Sequence, residues 1–100
     1  MVKHVILWQL KDELSAAQKE EVKAKAKAAL EGLVGKVDGL QSARLITKGL
    51  ASSNCDMMLE TAFPDEDALK AYQIHPDHQA AANTYIRPYA KVRLCWDYED

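Results

Sequence analysis

The chain has 100 residues, of which 48% are hydrophobic and 28% charged, with a formal net charge of −2. This is the composition of a folded globular domain, and it excludes a disordered tail or a collagen-like segment. The 13 basic residues are balanced by 15 acidic ones and gather on no arm or loop, which argues against nucleic acid and anionic membranes as partners.

A single domain over residues 1–100 is expected, with a modest core that buries roughly 60–70% of the unfolded chain's surface. The opening Met1 to Trp8 run is too short and too soon followed by Lys11 and Asp12 to be a signal peptide, and no segment approaches membrane-spanning length. Cys55 and Cys95 match no zinc spacing, so free thiols in a reducing cytoplasm are the expectation, with a disulfide left open.

The first predicted strand runs from Val2 to Leu10. It places His4, Ile6, Trp8 and Leu10 on one face and Val5 and Leu7 on the other, so it should be covered on both sides. Ser15 and Gln18 form an S-x-x-Q capping box, and Val22, Ala26, Ala29, Leu30 and Leu33 follow at helical spacing. Gly32 and Gly35 stop the helix, and Val37-Asp38-Gly39 turns into a second strand around Leu40 to Lys48. A third strand is predicted over Cys55 to Phe63, with Cys55, Met57, Leu59, Thr61 and Phe63 on one face. Pro64 ends it, and Asp65, Glu66 and Asp67 open a helix carrying Leu69 and Tyr72 inward.

That helix must break at His75-Pro76, because proline lacks an N–H and its predecessor avoids the α conformation. A second segment then starts with His78 near its beginning. In an unbroken helix Tyr72 and His78, six residues apart, would point about 240° apart; the break lets them converge. Pro88 closes the second segment, and the last strand, Ala90 to Tyr98, sets Val92, Leu94, Trp96 and Tyr98 against Lys91, Arg93, Cys95 and Asp97.

The order βαββαβ predicts an α+β, ferredoxin-like protomer with an antiparallel four-stranded sheet. Its helices cover one sheet face, so Val5 and Leu7 need a partner from outside the chain. A second copy packed face to face is the economical answer, giving a homodimer.

Chemistry concentrates in Tyr72-Gln73-Ile74-His75-Pro76-Asp77-His78. An imidazole titrating near neutral pH suits His78 to general acid–base work, and Tyr72 could donate to a carbonyl oxygen as charge develops. From the residues alone, a packed tyrosine and a histidine hydrogen-bonded at a helix start is the favoured reading, with acid–base chemistry as the alternative. Ile6, Trp8, Met57, Leu59, Leu69 and Ile86 read either as core or as the apolar wall of a ligand pocket, and His4 as a hydrogen-bonded core histidine or a pocket residue. His75 and His78 form an H-x-x-H pair, but no convergent set of three or four ligands is visible, so no metal is expected. The lack of a glycine-rich phosphate loop or nucleophile elbow argues against kinases, redox-cofactor enzymes and serine hydrolases.

The strand Val2-Lys3-His4-Val5-Ile6 leading to Lys11-Asp12-Glu13, the helix start Ala17-Gln18-Lys19-Glu20-Glu21 and the His-Pro-x-His core at His75 to His78 together resemble the stress-responsive α/β-barrel domain (Dabb) family, within the dimeric α+β barrel superfamily. The resemblance spans nearly the whole chain. It implies a ferredoxin-like protomer, a dimer whose sheets form a barrel and, as in a polyketide cyclase of the family, cofactor-free chemistry by a tyrosine and a histidine that match Tyr72 and His78. His4 matches a further pocket histidine. The positions of another pocket histidine and a pocket tyrosine are filled here by Met57 and Ala26. The functional expectation is a small-molecule pocket for an apolar, aromatic or carbonyl ligand, with a non-catalytic binding or structural dimer as the alternative.

Overall fold

The computed structural model of the protein describes residues 1–100. Four strands, β1 (Val2–Leu10), β2 (Ser42–Ile46), β3 (Met57–Phe63) and β4 (Ala90–Glu99), alternate with α1 (Ala16–Glu31), α2 (Glu66–Ile74) and α3 (Pro76–Tyr85). The strands form one sheet in the order β2-β3-β1-β4, every neighbouring pair antiparallel. This is the ferredoxin-like βαββαβ arrangement, with its second helix divided into α2 and α3.

The capping box of α1 is complete. Ser15 Oγ accepts from the Gln18 N–H at 3.1 Å, and Gln18 Oε1 accepts from the Ser15 N–H at 2.7 Å. Val22, Ala26 and Leu30 are the buried stripe. At the far end, Glu31 accepts from Lys27 Nζ (2.7 Å) and from the Leu45 N–H (2.9 Å), so the helix terminus is tied to edge strand β2. Gly39 has φ +86°, and a Cβ there would lie 2.9 Å from Ala68 Cβ. Glycine thus both permits this turn and lets α2 approach it.

The second and third strands are shorter than their sequence limits suggest. At the start of β3, Asp56 leaves the ladder because its carboxylate accepts the Leu10 N–H at 2.7 Å while its own N–H donates to the Trp8 carbonyl at 2.8 Å. A side chain thereby replaces a backbone acceptor.

Even-numbered residues of β1 face the helices, and register carries the same face across the sheet: His4 opposite Thr61 and Asp97, Ile6 opposite Leu59 and Cys95, Trp8 opposite Met57 and Arg93. Ile6, Leu10, Leu45, Phe63 and Tyr72 are the largest fully buried side chains. Each such side chain contributes roughly 1.5–3 kcal/mol through burial. The other sheet face carries Val5, Leu7, Met58, Leu94, Trp96 and Tyr98, and no helix covers it. Trp96 is 71% exposed and Leu94 55%, well outside the usual treatment of such side chains in an isolated domain.

Candidate functional site

The site begins with a missing proton donor. In a continuous helix the Gln73 carbonyl would accept from the N–H of residue 77, four residues on. Pro76 breaks the run, His75 adopts an extended conformation (φ −63°, ψ 134°), and the Asp77 N–H donates to His75 Nδ1 at 3.0 Å. His75 thus caps α3. The Gln73 carbonyl, released from the helix, accepts from His78 Nδ1 at 3.1 Å and from the Gln79 side-chain amide.

This bond selects the tautomer of His78. A carbonyl can only accept, so Nδ1 carries the proton and Nε2 keeps its lone pair in the neutral ring. Burial pulls the His78 pKa below its ordinary value, with Arg87, His4 and Arg93 adding repulsion against the Gln73 bond. The free base is the favoured form at neutral pH.

Tyr72 lies directly behind it. The rings of Tyr72 and His78 are 4.3 Å apart between centroids, and Tyr72 also packs on Phe63 at 5.1 Å and edge-on to His4 at 6.3 Å. Its hydroxyl is buried without a hydrogen-bond partner, and burial pushes its pKa up to about 12, so it remains a protonated donor.

A cavity of about 490 Å³ lies between the sheet and α3. His4, Ile6, Trp8, Leu59 and His78 line it, as do Leu30, Ile86, Gln73, Gln79, Arg87 and Arg93. Of the residues singled out in the sequence, Tyr72, Met57 and Leu69 are not on its wall; Tyr72 touches it through His78, and Met57 and Leu69 are buried in the core, Met57 opposite Trp8. Sequence reasoning passed over Arg87, Arg93, Gln73 and Gln79. The alternation of β4 groups Arg93 with Cys95 and Asp97 on one face but does not say which face meets the helices.

His4 has a partner of its own. Its Nδ1 hydrogen-bonds Asp97 across the β1–β4 pair, and the Cys95 thiol donates to the same carboxylate at 3.4 Å. Burial, followed by Asp97, raises the Cys95 pKa, so the group is a thiol and not a thiolate. These three side chains bring their ligating atoms within 4.8 Å of one another and are the residues best placed to hold a cation. Imidazole and carboxylate already satisfy each other there, and a cation would have to part them. Cys55 is also free.

No helix is long and apolar enough to cross a membrane. The chain is 28% identical over 97 residues to olivetolic acid cyclase of Cannabis sativa, covering 97% of this chain and 94% of the cyclase. Among solved structures it is similar to a dimeric ferredoxin-like protein of unknown function from Bacteroides fragilis, with a TM-score of 0.93, 28% identity, and coverage of 99% and 95% of the two chains. It is also similar to a dimeric ferredoxin-like protein of unknown function from Thermobifida fusca, with a TM-score of 0.79, 29% identity, and coverage of 99% and 90%. The family model of the stress responsive A/B barrel domain matches residues 2–100, the same span that folds into the βαββαβ unit around the cavity, and the chain belongs to that family, Dabb.

Proposed function

We propose that this protein is a homodimer whose cavity takes a small carbonyl or aromatic compound and carries out cofactor-free proton transfer on it. The observation that carries the reading is the state of His78: one ring nitrogen is committed to the Gln73 carbonyl, the other is left basic, and the ring lines the cavity. In this reading Nε2 removes a proton α to a carbonyl, the C–H electron pair becomes the enolate, and the Tyr72 hydroxyl, which lies behind the His78 ring, reaches the oxygen on which charge collects through a shift of that ring. The enolate then takes back a proton from His78 or attacks a second carbonyl in an aldol-type closure, whose C=O π electrons go to oxygen and whose alkoxide takes the proton held on His78 Nε2. The 28% identity to a cyclase supports this class of reaction. The uncovered Leu94 and Trp96, together with the dimeric state of the similar structures, supports the homodimer.

The position of Tyr72 behind the cavity wall favours a second reading, in which the pocket binds a ligand without chemistry. One experiment separates the two. Small carbonyl, phenolic and polyketide-like compounds are screened for a rise in melting temperature of the wild type and of His78→Ala, since a ligand specific to the native state stabilises it by mass action. A compound that stabilises the wild type is then incubated with each protein in D2O, and deuterium entry at its α-carbon is followed by NMR. Exchange by the wild type alone supports acid–base catalysis; exchange no faster than in buffer leaves a binding protein.

A further inference from the structure

We propose that the ligand of this cavity is an apolar-bodied monocarboxylate, its carboxylate held at the cavity by Arg87 and Arg93 and its body packed against Ile6, Trp8, Leu59 and Ile86. The proposal deepens the reading of the cavity as a ligand site and rests on it. The ionisable side chains on the cavity wall are His4, His78, Arg87 and Arg93, and none is acidic. Neither arginine takes part in any of the six ion pairs of the protein.

Arg87 is held in place by neutral acceptors. Its Nη1 donates to the side-chain oxygens of Gln79 (2.9 Å) and Asn83, which orient the guanidinium and leave its charge uncancelled. Gln79 in turn donates to the Gln73 carbonyl that fixes His78, so one hydrogen-bonded chain joins the cation to the base. On β4, the carboxylates sharing the face of Arg93 are Asp97, four residues and about 13 Å along the strand, which is engaged by His4 and Cys95, and the more distant Glu99, which pairs with the N-terminal ammonium. The field of both arginines reaches the His78 ring, where each opposes protonation. A cavity with an apolar floor and two uncompensated guanidinium groups is complementary to an amphiphilic anion. The planar fork of arginine matches a carboxylate, and the wall supplies no glycine-rich backbone cradle of the kind phosphates use.

The test uses 4-phenylbutyrate and its neutral counterpart 4-phenylbutanamide, with binding read by isothermal titration calorimetry at low and high salt. His78 ring NMR shifts report whether either probe occupies the cavity. The expected result is at least tenfold tighter binding of the carboxylate, a preference that shrinks with salt. It should fall below about twofold in the Arg87→Gln/Arg93→Gln double variant and recover in part in Arg87→Lys/Arg93→Lys. Both arginines are exposed, and unchanged melting temperatures would verify that the variants fold. If the amide shifts His78 and binds as well as the carboxylate in every protein, the anion proposal falls while the pocket stands. If neither probe binds the wild type or moves His78, the carboxylate proposal falls, and a ligand emerging from the neutral carbonyl screen would preserve the proposed function.

Discussion

At the scale of single residues, His78 is the group whose surroundings do most to define its chemistry. Its folded pKa lies below the unfolded value of 6.5, so in the window beneath that value the unfolded chain binds more protons. Its contribution therefore leaves stability unaffected above the window and lowers it as pH falls through the unfolded pKa towards the folded one. Urea titrations between about pH 5 and 7 should show a shallower pH slope in His78→Gln than in the wild type. Tyr72 makes the opposite exchange between stability and function. Its hydroxyl has no partner, so Tyr72→Phe should be as stable as the wild type or more stable by up to about 1 kcal/mol by urea unfolding. The same variant should lose α-proton exchange on a bound carbonyl compound. A clear loss of stability would show that the hydroxyl is structurally engaged.

Among the elements, the divided helix is where sequence and geometry meet most directly. Pro76 announced the break, and the pairing of Tyr72 with His78 follows from it. Pro76→Ala restores an N–H that can bond the Tyr72 carbonyl and lets the Asp77 N–H reclaim that of Gln73. Far-UV helicity should stay level or rise, while the nitrogen NMR signals of His78 lose their single-tautomer pattern. Gly39→Ala should cost about 1–3 kcal/mol, seen as a lower melting temperature, because the new Cβ meets both a left-handed backbone and Ala68. The strands, the capping box of α1 and the inward face of β1 were legible because each follows local periodicity or capping chemistry. The arginines were not. Arg87 sits beyond α3 and Arg93 on a strand whose local pattern does not say which face meets the helices; only the pairing of Trp8 with Arg93 places the latter at the cavity. Met57 read equally as core or as wall because it alternates with Leu59; depth in the core is a tertiary property and alternation carries none of it.

For the whole molecule, the uncovered sheet face sets the expectation for assembly. Sedimentation at micromolar concentration should give the mass of a dimer for the wild type and of a monomer for Trp96→Glu, since a carboxylate on that face would be desolvated in the interface. A wild type that sediments only as a monomer would remove the homodimer from the proposal. β4 is an edge strand whose two sides answer to different demands. Its odd-numbered residues Arg93 and Asp97 face the cavity and anchor His4, and its even-numbered Leu94 and Trp96 face outward. Because successive side chains alternate, neither set can shift register without carrying the other to the wrong side. In the proposed homodimer, ligand capture and self-association would share one strand as a common lever, and thermodynamic reciprocity would attach to it: whatever a filled cavity does to the strength of the dimer, the dimer does in equal measure to the grip on the ligand, so that any coupling between the two would let dilution alone tune affinity.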